Sequence, residues 1–140
     1  MIKEIPISHN VSELLPQATA YLQARKDIFF AYLFGSLASG ILRPLSDIDI
    51  AVYLKKKNIS EKRLQIIGDL ADILKTDEID LLVLNTAPIS LQMSVLKQRR
   101  VLADNEPFFR HKYESFTMRA YFDFSKLEHR ILERRFLNGR

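Results

Sequence analysis

An apolar run, Ile28-Phe29-Phe30-Ala31-Tyr32-Leu33-Phe34, breaks at Gly35-Ser36. Ten residues later Asp47-Ile48-Asp49 heads a second apolar run that ends at Leu54. The first run is too apolar to alternate, so it reads as a strand covered on both faces. Strand residues two apart share a face, which puts the Asp47 and Asp49 carboxylates on one side. Two carboxylates fixed side by side repel unless a cation sits between them, and a small set of hard oxygen ligands suits Mg²⁺. Gly35 allows close backbone approach and positive φ. Ser36 adds a hydroxyl, and a helical turn starting there would offer free N–H groups to an anion. A triphosphate held at that turn would reach ions on the two aspartates. The same residues also spell a β-turn followed by a surface aspartate pair; the joint spacing favours the first reading.

Gly35-Ser36, ten residues, then Asp47-x-Asp49 resembles the signature of the DNA-polymerase-β-type nucleotidyltransferases. The short chain resembles their minimal (MNT) members, the antitoxins paired with HEPN-domain toxins. The motif covers residues 35–49, and the wider element pattern runs to about residue 105. The resemblance implies an α/β fold: a small mixed, twisted sheet of about four strands flanked by helices, with a long C-terminal helix. It implies a Mg²⁺-dependent transfer of AMP from ATP onto a hydroxyl, a tyrosine of a HEPN ribonuclease toxin, and hence a protein adenylyltransferase acting as antitoxin. Adenine is carried over from the family, since no base-reading residue stands out. Two rivals remain: an antitoxin that neutralises by contact alone, and a small-molecule, aminoglycoside-type nucleotidyltransferase. The latter usually carries an added helical domain, for which this chain has little room.

The third carboxylate is Asp80, the one acid inside the apolar run Ile79–Leu84. An unpaired buried carboxylate is costly, so it must be exposed, paired with a lysine or bound to metal. Strand–helix–strand connectivity from 47 to 84 would place it in the same sheet as Asp47 and Asp49. Three such carboxylates would hold two Mg²⁺ ions. In the family's arrangement Asp80 stands nearest the attacking hydroxyl and would help take its proton. Gly35 and Ser36 are the candidate phosphate-binding residues, and Arg43 joins them from the intervening loop, where a solvated arginine is an equal alternative. Ser46 reads as a turn cap. Arg119, Tyr121 and Asp123 read as surface of the last helix, with a nucleotide cleft as the less favoured alternative. His9, His111 and His129 lack metal spacing. No Gly-x-x-x-x-Gly-Lys-Ser/Thr or Gly-x-Gly-x-x-Gly motif occurs, so P-loop and Rossmann readings fail.

The 140 residues suffice for one domain, 1–140, with a real core. No apolar run approaches the length of a membrane span, and the N-terminus has no signal-peptide h-region. With no cysteine, disulfides and thiolate metal sites are excluded, which fits the cytoplasm. The net charge is +4, yet residues 1–109 balance at 13 basic against 13 acidic. The excess lies in 110–140, with eight basic and four acidic side chains. That segment faces solvent, an acidic partner or nucleic acid; direct nucleic-acid binding is not expected.

Further elements follow from periodicity. Ser12 is the expected N-cap of a first helix with Pro16 in its first turn and Val11, Leu15, Ala18 and Leu22 as its stripe. Asn58 or Ser60 would cap a second helix facing the core with Leu64, Ile67, Ala71 and Leu74. Asn85 or Thr86 would cap a third, with Pro88 in its first turn. Val101-Leu102-Ala103 is a short fourth strand. Residues 106–138 form the last helix, with an aromatic-rich stripe of Tyr113, Phe116, Ala120, Phe124, Leu127 and Ile131. Most such stripes pack onto their own domain; a helix this long also has face to offer a partner.

Overall fold

The computed structural model describes the backbone of residues 7–35 and 47–135, with side chains from residue 13 on. The elements are α1 (Ile7–Ala24), β1 (Ile28–Phe34), β2 (Ile48–Leu54), α2 (Ile59–Leu74), β3 (Ile79–Val83), a 3₁₀ turn (Leu84–Thr86), α3 (Ile89–Gln98), β4 (Arg100–Asp104) and α4 (Pro107–Glu133). The strands form one open, mixed sheet in the order β3-β2-β1-β4. β1 runs antiparallel to both neighbours, and β2 and β3 are parallel. The parallel pair needs a crossover, and α2 supplies it.

Period-two alternation divides the core into two layers. Ile48, Ile50, Val52 and Leu54 of β2 pack with Leu15, Ala18 and Leu22 of α1 and with Ile66, Leu70 and Leu74 of α2. On the opposite face Ala51 joins Phe30, Tyr32, Val95 and Leu96, with Tyr113 of α4 beneath them. Phe29, Phe30, Tyr53, Phe109 and Tyr113 form an aromatic cluster there, with ring centroids 4.5–6.2 Å apart. β1 is buried on both faces, as its unbroken apolar run requires.

Several local expectations are corrected. α1 begins at Ile7, so Ser12 is not its N-cap and Pro16 lies inside the helix. Pro16 is exposed, so its ring meets no core residue. In α2 the buried stripe is Ile66, Leu70 and Leu74, whereas Leu64 is 67% exposed. The sheet selects a face one position round from the one the periodicity suggested. Asn58 does cap α2, but through left-handed backbone rather than its side chain. α3 is preceded by an extended Pro88, not by an Asn85 or Thr86 cap. Asn85 instead reaches back to β2: its Oδ1 accepts from Leu54 N–H at 2.9 Å and its Nδ2 donates to Leu54 C=O at 2.7 Å.

α4 is tied to the body mainly along its first three turns. Glu114, almost fully buried, accepts from Tyr32 Oη at 2.6 Å and pairs with Arg99 at 3.0 Å and Arg110 at 2.9 Å. Arg110 also grips Asp104 through two nitrogens, at 2.9 and 3.0 Å. Asn105 Nδ2 donates to the carbonyls of Leu22, Arg25 and Ile28, fastening the end of α1 to the start of β1. Past Thr117 the expected stripe is not core: Phe124, Leu127 and Ile131 are exposed, as is Phe116 before it.

Candidate active site

The head of β2 lies between β1 and β3, and it carries the site. Phe34 pairs with Asp49 across the antiparallel ladder, and Asp49 pairs with Asp80 across the parallel one. Alternation puts Asp49 on the face shared with α3 and α4, and Asp80 lies beside it at the same level of the next strand. Asp47 precedes β2 and is exposed, as is Asp80; Asp49 is half-buried. The carboxyl of Asp49 is pushed up to about 6, first by burial and then by the negative charges of Asp80 and Asp47. Like charges destabilise its ionised form. Among the described residues no lysine or arginine forms an ion pair with any of the three.

Gly35 closes the site from the β1 side. Its φ is +78°, and a Cβ there would lie 3.1 Å from Asp49 Cγ and nearer still to Oδ2. Any other residue would be strained and would also collide with that carboxylate. The Gly35 N–H donates to Gln98 Oε1 at 2.9 Å. Gln98, at the end of α3, had no sequence signal: a polar residue 63 positions away gives no sign that it holds a turn.

Ser36, Arg43 and Ser46 lie outside the described residues, and His9 is described only by its backbone in α1. Arg119 and Asp123 are exposed on α4, and Tyr121 packs beneath Lys97, whose Nζ is 5.7 Å from the ring centre. Among the described residues no three acidic or imidazole groups stand close enough together to chelate an ion as they are. The donor chemistry nonetheless fits a hard divalent cation: carboxylate oxygens, the negative charges of Asp47 and Asp80 acting on Asp49, and among the described residues no ion-paired cation to neutralise them. No described helix is long and apolar enough to cross a membrane.

Comparison with known proteins agrees with this architecture. Solved structures of similar fold include a toxin–antitoxin with AMP-PNP, 25% identical over 90% of this chain and 95% of that one, with a TM-score of 0.66. A toxin–antitoxin MntA–HepT structure is 25% identical over 86% of this chain and 96% of its own, TM-score 0.64. A third, from Shewanella oneidensis, contains a tri-AMPylated HEPN toxin with its MNT antitoxin. It is 23% identical over 91% and 93% of the two chains, TM-score 0.59, and speaks for the fold alone. No curated protein sequence matches significantly. The family described as "Polymerase beta, Nucleotidyltransferase" matches residues 17–108, from within α1 to the start of α4. That stretch is well over half the chain and contains every carboxylate of the site, so the protein belongs to the polymerase beta nucleotidyltransferase family.

Proposed function

We propose that this protein transfers AMP from ATP onto a hydroxyl of a partner protein, a tyrosine of a HEPN ribonuclease toxin, and so acts as its antitoxin in the cytoplasm. The observation that carries the reading is the alignment of Asp49 with Asp80 on adjacent strands, with Gly35 closed onto Asp49. The likeness to a toxin–antitoxin bound to AMP-PNP supports both the donor and the partner class. Asp47, Asp49 and Asp80 would hold Mg²⁺, which when bound supplies positive charge to the triphosphate and to the acceptor oxygen.

The chain's own contributions follow from position. Gly35, without a side chain, lets the turn close onto the Asp49 carboxylate and brings its backbone near the phosphates, with Ser36 and Arg43 as the proposed hydrogen-bond donors to them. Asp80, on the outer strand, is open to an arriving acceptor and takes its hydroxyl proton. The acceptor oxygen bonds to the α-phosphorus, the bond from that phosphorus to the bridging oxygen breaks, and pyrophosphate leaves with the electron pair. A small-molecule enzyme would need walls around its acceptor, yet α4 leaves most of its outer half exposed. Phe122, Phe124, Leu127 and Ile131, interleaved with Lys126, Arg130 and Arg134, make that half the surface offered to the partner.

Intact-mass spectrometry of the co-expressed partner tests the reading. Wild type should add one or more AMP units, and Asp47→Asn none. An unmodified partner whose toxicity is still suppressed would replace transfer with neutralisation by contact.

A further inference from the structure

A groove of about 460 Å³ runs along the outer edge of β3, between the N-terminal ends of α2 and α3. β3 ends the sheet, so among the described residues no strand covers this side. Asp80 stands in the groove wall with Arg63 and Leu91, whereas Asp49 and Gly35 do not line it. Arg63 is half-buried. Its Nε donates to Leu81 C=O at 3.1 Å, which fixes the guanidinium against the strand edge. Among the described residues its two terminal nitrogens have no partner, and it forms no ion pair with Asp80.

We propose that this groove binds the transferred nucleotide, as the ester of AMP on the acceptor, with Arg63 gripping its phosphodiester. The inference rests on the transfer reading above. Its geometry follows from the reaction: the new ester is built on the oxygen that Asp80 served, so its phosphate forms at the mouth of the groove. A guanidinium anchored by one nitrogen presents the other two as a fork, which matches the two non-bridging oxygens of a phosphodiester. Leu82 and Leu91 give an apolar wall for a base, and Ser60 and Thr86 give hydroxyls for a sugar. The volume lies in the range of small-ligand sites and exceeds what a phenol alone would fill. An acidic segment of the acceptor polypeptide would use the charge of Arg63 but would leave the apolar wall without a purpose.

The probe is the phenyl ester of AMP, measured by calorimetry with the donor position filled by a non-hydrolysable ATP analogue. Wild type should bind it, Arg63→Gln should bind at least tenfold more weakly, and Arg63→Lys should fall between. Glutamine can still donate to Leu81 C=O, and a matching thermal midpoint will show that the strand edge is kept. Equal affinity in wild type and Arg63→Gln would overturn the proposal. So would an equal loss for the ATP analogue, which would place Arg63 on the donor side. Preference for a glutamate-flanked tyrosine peptide over the AMP ester would assign the groove to polypeptide instead. Failure of transfer itself would show separately, as a partner without any AMP.

Discussion

Asp49 is held at a cost to the fold. Its carboxyl is raised to about 6, so the folded state binds its proton more tightly than the unfolded chain does. Stability from this group is therefore present at low pH and is lost as pH rises from about 4 through 6. Asp49→Asn should flatten that dependence and stabilise the protein at pH 7.5 by about 1 kcal/mol, since water screens part of the full effect. It should also abolish transfer and remove any rise in melting temperature on adding Mg²⁺. Melts at pH 4.5 and 7.5, with and without the cation, check all three. Gly35→Ala should lose about 2 kcal/mol or more from positive φ and the clash with Asp49, and transfer with it. Urea titration reads the first effect. The nearness of Asp47 and Asp80 to Asp49 was legible, the first because the two stand two residues apart in the chain, the second because strand–helix–strand connectivity makes their strands neighbours; what the three carboxylates do was not. Gln98 and Arg63 were not, since each acts through one hydrogen bond across a long stretch of chain.

At the scale of elements, the strands were legible nearly to the residue, because continuous apolar runs bounded by Gly, Asp and Lys leave little choice. Helix faces were less so. Ile66, Leu70 and Leu74 of α2 compete with Leu64, Ile67 and Ala71 as apolar stripes, and only the position of the sheet decides between them. In α4 the buried side includes Glu114 and Thr117, which no apolar periodicity would choose. Glu114 is buried because Tyr32, Arg99 and Arg110 converge on it, and removing one member of such a group strands the others. Glu114→Ala should therefore cost about 3 kcal/mol, and Tyr32→Phe about 1 kcal/mol. Chemical denaturation of the two variants should give that order; a reversed order would mean that α4 is held mainly by Phe109 and Tyr113.

For the molecule as a whole, charge and shape point the same way. α4 is ~40 Å long, and its free half sets exposed aromatic and aliphatic side chains beside Arg130, with Arg134 and Arg135 adding positive charge just past its end. Reversing Arg130, Arg134 and Arg135 together to Glu should weaken partner binding about tenfold at low ionic strength, with a smaller gap in high salt. The melting temperature should stay put, because all three are exposed. Unchanged binding would return these arginines to solvent.

The strand order has a consequence for synthesis. β1 is central, yet one of its two neighbours is the last strand made, and Asn105 closes onto Ile28 across 77 positions. At the usual pace of translation roughly 4–15 s separate the emergence of β1 from that of β4. Through that interval the most apolar strand of the protein has an open edge, the kind that recruits other chains. A chain cut short after Arg99 would hold all three aspartates of the site and have no means of closing its sheet. The passage from 100 to 105 is thus when the nascent protein stops being adhesive.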